Sequence, residues 1–172
     1  MEENQKIPMR SQVKKEDTWA IEDMYATVED WEKDFAAAKK VAEEAAEYAG
    51  RLGESAQALY DWSALTEKLD CMLSEIYGYA SRVKDQDTAD AAGQTLSARA
   101  MGLYVECSGL ISFADPEILS IPEEKLEAFY AEKPELLKYR RSINEVRRCK
   151  DHILSPELEK RPDSYTHLTL PT

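Results

Sequence analysis

The stretch from Ser55 to Asp87, SAQALYDWSALTEKLDCMLSEIYGYASRVKDQD, decides the fold. Leu59, Trp62, Leu65, Leu69, Leu73, Ile76, Ala80 and Val83 recur three or four residues apart along it, which lays apolar side chains on one face of an α-helix. Ser55 supplies an N-cap oxygen at its start. Asp85 to Asp87 breaks the pattern, and Asp87 or Thr88 opens a third helix carrying Ala89, Ala92, Leu96, Ala100, Leu103, Cys107 and Leu110. Two long helices joined by so short a polar turn must lie antiparallel.

Upstream, Thr27 with Asp30 forms an imperfect capping box for a first helix, whose stripe is Trp31, Phe35, Ala38, Ala42, Ala45 and Ala49. Gly50 and Gly53 are expected to end it. Before that helix, Trp19, Ile21, Met24 and Tyr25 make an apolar cluster able to clamp the lead-in, residues 1–16, onto a neighbour. The lead-in is charged and lacks any period, so it reads as a mobile N-terminal segment.

Downstream of Phe113 the texture changes to short helices punctuated by Pro116, Pro122 and Pro134, each placed where a first helical turn accepts proline. The last of these helices has Leu136, Leu137, Ile143 and Val146 on its inner side, and Ser155-Pro156-Glu157 opens one more. No alternating β run occurs. The expected class is all-α: a long antiparallel hairpin within residues 17–113, followed by a short-helix region, 114–160.

The nine residues from Ser164, SYTHLTLPT, have neither helical period nor the acidic bias of what precedes them. Back-translated as TCT TAT ACA CAT CTG ACG CTG CCG ACG, they read as a transposase library adapter in frame. Residues 164–172 are therefore expected to be adapter-derived, and the helix opened at Pro156 to be cut short.

The chain has 172 residues and a formal net charge of −12, with 43% hydrophobic and 33% charged residues. It is too apolar for a disordered chain and long enough to bury a core. Clustered positive charge is what a polyanion needs, so neither nucleic acid nor an anionic membrane surface is an expected partner. No run of about 18 apolar residues is present, and Met1 to Lys15 contain no apolar signal core. Cys71, Cys107 and Cys149 are odd in number and far apart, which suits reduced thiols in a cytoplasm better than a disulfide framework or a zinc ribbon.

Chemistry-bearing motifs are scarce. His152 is followed by Ile153 and Leu154, and His167 by Leu168 and Thr169, so neither begins the H-E-x-x-H that puts two imidazoles and a general-base Glu on one helical face. There is no phosphate-cradling glycine loop and no G-x-S-x-G. Glu29, Asp30, Glu32, Asp34, Glu43, Glu44 and Glu47 read as the solvated face of the first helix. Lys138, Arg140, Arg141, Arg147, Arg148 and Lys150 are the one basic group, better suited to docking an acidic helix or another domain than to nucleic acid. Tyr77, Tyr79 and Arg82 are expected at the core and its rim. No catalytic, cofactor-binding or metal-ligating residue is assigned.

Five stretches taken in order carry a family resemblance: Asp17 to Tyr25 (DTWAIEDMY), Gly50 to Ser55 (GRLGES), Tyr77 to Arg82 (YGYASR), Glu117 to Leu126 (EILSIPEEKL) and His152 to Glu157 (HILSPE). Together they resemble oligoendopeptidase F, a bacterial zinc metallopeptidase family related to thimet oligopeptidase, from about Asp17 to Lys160. The resemblance implies a longer all-α protein that cuts short peptides in a deep channel. Its zinc would sit on an H-E-x-x-H helix with a downstream Glu, in a C-terminal catalytic domain absent from this chain. The matched part is the N-terminal helical region, a lid and wall over that channel, and none of the family's metal ligands or catalytic groups has a counterpart position here. The competing expectation is a self-standing helical module whose hairpin offers a groove to a partner helix.

Overall fold

The computed structural model describes residues 10–148, which are helical in the main and include no strand. Cys149, His152, the Ser155-Pro156-Glu157 start, Lys150 and the 164–172 tail all lie outside the described residues.

Three long helices form the first half. Helix α1, Val28–Ala46, is capped by Thr27, whose Oγ1 accepts the Asp30 amide at 3.2 Å while its hydroxyl donates to Asp30 Oδ2 at 2.9 Å, a variant of the imperfect box read from the sequence in which the carboxylate takes the hydroxyl. Helix α2, Ala56–Gln86, starts where Ser55 Oγ accepts the Ala58 amide at 3.1 Å. Helix α3, Ala91–Ile111, follows after a short turn.

The third start differs from the expected one. Asp87 is spent on the turn, accepting the Ala89 amide at 3.0 Å, while Asp90 accepts the Ala92 and Gly93 amides, each at 3.1 Å, and is the true N-cap. Ala89 is therefore outside the helix and exposed. The shift places Gly93 against α2, where a Cβ would lie 3.1 Å from the Lys84 Cα. No larger residue fits that approach without moving the backbone.

The first helix also ends early, at Ala46, so Ala49 falls in the turn and is exposed. Gly50 closes that turn at φ +81°, a left-handed conformation suited to glycine.

The first core joins one face of each long helix: Trp31, Ala38 and Ala42 from α1, Leu69, Leu73 and Ile76 from α2, and Leu96, Ala100, Leu103 and Cys107 from α3. Alanine on α1 lets it seat closely against the hairpin. Glu32 pairs with Arg99, with Nη2 at 2.8 Å from Oε2, and Lys39 pairs with Glu106 at 2.6 Å. Both pairs advance the same distance along each helix, so α1 runs parallel to α3.

The second half builds a separate core on the start of α2. Helix α4, Ala114–Ser120, helix α5, Glu123–Glu132, a 3-10 turn, Pro134–Tyr139, and helix α6, Arg140–Arg148, pack Ile118, Leu126, Phe129, Leu136 and Ile143 against Leu52, Ala56 and Leu59. Pro134 opens the 3-10 turn rather than an α-helix, and the α-helical geometry begins only at Arg140. Leu137 is 47% exposed instead of inward, because the tighter 3-10 spacing carries it off the face shared by Leu136 and Ile143.

Candidate functional site

One side of α2 walls an open cleft of about 450 Å³, bordered opposite by Ile111, Ile118, Tyr139, Ile143 and Val146. Helical spacing puts Trp62, Glu67, Asp70 and Cys71 on that wall. Lys138 Nζ donates to Glu67 Oε2 at 2.6 Å and the Tyr139 hydroxyl donates to the same oxygen at 2.8 Å. These two bonds, that from Lys138 foremost, hold the Glu67 carboxyl below its ordinary range. Burial has the opposite effect on Asp70 and raises it. The Trp62 indole N–H is buried with no acceptor among the described residues.

This wall offers shape, one carboxyl that is partly desolvated although Asp70 is exposed overall, and one unused donor. Among the described residues, no three or more His, Cys, Asp and Glu side chains converge as a metal site. Cys107 is buried, which pushes its thiol up, and Cys71 is exposed.

Several carboxylates assigned to the solvated face of α1 have structural work. Asp34 accepts the Tyr25 hydroxyl at 3.0 Å, Asp30 belongs to the cap and to Lys33, and Glu32 holds Arg99. Glu29, Glu43, Glu44 and Glu47 are exposed.

Three of the basic residues, Lys138, Arg140 and Arg147, meet acidic partners on other elements, while Arg141 and Arg148 are exposed. Arg140 Nη2 donates to Glu127 Oε1 at 2.7 Å, and Arg147 lies 3.6 Å from Glu123, both acids belonging to α5. Arg147 Nη1 also donates to the Ile121 carbonyl at 2.7 Å and, at 3.3 Å, to the Ile118 carbonyl, which also accepts the Ile121 amide where α4 ends. Arg141 instead reaches Glu145 within its own helix at 3.1 Å.

Tyr79 is buried edge-on against Tyr25 with ring centroids 5.2 Å apart, Tyr77 is exposed, and Arg82 Nη1 donates to the Gly78 carbonyl at 2.9 Å. They occupy core and rim. Sequence reasoning missed Glu117, whose carboxylate accepts the amides of Gly50 and Leu52. Only its place in the first turn of α4 marked it, and nothing nearby in the sequence signalled its targets.

Fold and site thus define a two-core helical scaffold among the described residues. The family model described as Oligopeptidase F matches residues 117–160. Oligopeptidase PepF of Bacillus subtilis is 39% identical over 89% of this chain and 23% of its own length. Group B oligopeptidase PepB of Streptococcus agalactiae is 32% identical over 88% of this chain and 25% of its own. The crystal structure of oligoendopeptidase-F from Enterococcus faecium superposes with a TM-score of 0.69 at 26% identity, covering 77% of this chain and 26% of that one. The chain is related to the oligoendopeptidase F peptidases and matches their N-terminal region. It spans about a quarter of the length of these relatives.

Proposed function

We propose that this chain is the non-catalytic N-terminal part of an oligoendopeptidase F-like zinc metalloendopeptidase, where its helices form wall or lid over a channel that admits oligopeptides. One observation carries the reading: 39% identity to a peptidase runs through 89% of the chain yet reaches only 23% of that peptidase. The long-helix region, 17–113, and the short-helix region, 114–160, then act as one rigid piece, because their two cores share α2. Its contribution is steric: packed helices exclude folded proteins and admit extended chains.

Zinc would supply Lewis-acid chemistry in the longer polypeptide. The donors described here do not fit it, since they neither follow H-E-x-x-H nor converge, so no ligand and no step is assigned to this segment. Its proposed partners are the C-terminal catalytic domain and peptide substrates, with neither nucleic acid nor membrane. The proposed compartment is the cytoplasm. Among the described residues no helix is long and apolar enough to cross a membrane.

Reading the gene from an unfragmented template tests this directly. A frame continuing past Lys160 into H-E-x-x-H is expected, and a native stop soon after Lys160 would instead favour the self-standing interaction module.

A further inference from the structure

Helix α3 is apolar on both sides. Its inner face is the first core, while Met101, Tyr104 and Val105 are 47%, 50% and 63% exposed. Its only charged residues, Arg99 and Glu106, are both engaged by α1 through Glu32 and Lys39. In a chain of net charge −12, the face centred on Val105 therefore carries no charge at all. Gly102 and Gly109 lie one turn either side of Val105, and a Cβ at either would meet nothing within 4 Å. Intramolecular packing does not require these glycines, and glycine weakens a helix interior. A missing Cβ at these two positions leaves room for another backbone to approach closely. Large exposed apolar groups flanking such a strip mark a contact surface.

We infer that the Val105 face of α3 is the seam against which the remainder of the longer polypeptide docks, through an apolar, uncharged surface. This rests on the reading of the chain as part of a longer peptidase. About three quarters of each relative's length lies beyond the matched region, so the occupant is the largest body of chain available to cover it. An uncharged face also suits a permanent internal contact, because nothing on it needs solvating when the subunit is whole.

The test places a thiol at the seam. Val105→Cys, in a Cys71→Ser background, is prepared both in the 172-residue chain and in the full-length polypeptide, and alkylation at that position is followed by mass mapping. The reaction is expected to be about tenfold or more slower in the full-length polypeptide than in the 172-residue chain. Equal rates in both would overturn the inference. Slow reaction in both, with a doubled mass by light scattering, would also overturn it, in favour of a second copy as occupant. Peptide turnover by the full-length polypeptide is scored separately: protection without turnover leaves the seam standing and removes the peptidase reading, and turnover without protection does the reverse.

Discussion

The indole N–H of Trp31 donates to the backbone carbonyl of Ile76 at 3.0 Å, tying the start of α1 to the far part of α2 across a fully buried contact. A carbonyl has a second lone pair, so Ile76 can serve this bond without leaving its own helix. Trp31 also stacks at a tilt on Phe35, and Arg99 lies over both rings. The residue therefore fixes the position of α1 on the hairpin by shape and by one directed bond.

Trp31→Ala is expected to destabilise by about 3–5 kcal/mol, and Trp31→Phe by about 1–2 kcal/mol for the lost bond and the smaller ring. Urea denaturation followed by circular dichroism measures both. A cost below about 1 kcal/mol for the alanine variant would show that α1 is not anchored there.

Glu117 joins the two halves through the turn after α1, accepting the Gly50 and Leu52 amides. Glu117→Ala leaves both donors without their acceptor and is expected to cost about 1–3 kcal/mol. Glu117→Gln keeps one acceptor and should recover part of the loss. Equal denaturation midpoints for the alanine variant and the parent would contradict this role.

Much of the fold is legible in the sequence, because helical period and cap residues are local signals. Thr27, Ser55 and the α2 stripe each place an element correctly. The start of α3 is harder: Asp87 and Asp90 are equally good caps in isolation, and the close approach of Gly93 to Lys84 favours Asp90. Leu137 misleads for a related reason, since a 3-10 turn and an α-helix point the same sequence in different directions. The cleft beside α2 has no sequence signal, because the α2 wall meets Ile118, Tyr139 and Ile143 only through the packing of distant segments. The inward use of Arg140 and Arg147 is foreshadowed by their charge, whereas the carbonyls that Arg147 reaches are not.

Arg147→Ala removes the donor to the Ile118 and Ile121 carbonyls, and a cost of about 1–3 kcal/mol is expected. Arg147→Lys keeps the charge but cannot reproduce the fork, so it should recover less than half of that loss. Hydrogen exchange at the α4 and α5 amides reads the effect locally. Unchanged exchange in the alanine variant would count against the proposed bracing.

Asp70 gives a pH dependence with a definite sign. Burial raises its carboxyl in the folded chain above the unfolded value, so its relative stabilisation is complete below the unfolded pKa and fades as pH rises through the folded one. Asp70→Asn should therefore raise the melting temperature at pH 7 and change it little at pH 3. A variant that lowers the melting temperature at pH 7 would mean that the ionised carboxylate is supported in the fold.

The division of labour, a peptide-selecting helical wall here and the bond-breaking chemistry elsewhere, is tested most directly by a quenched-peptide assay on purified residues 1–163 and on the full-length polypeptide, each with and without added zinc. The expected result is metal-dependent turnover by the full-length polypeptide alone, with no stoichiometric zinc retained by residues 1–163. Metal-dependent cleavage by residues 1–163 would contradict it.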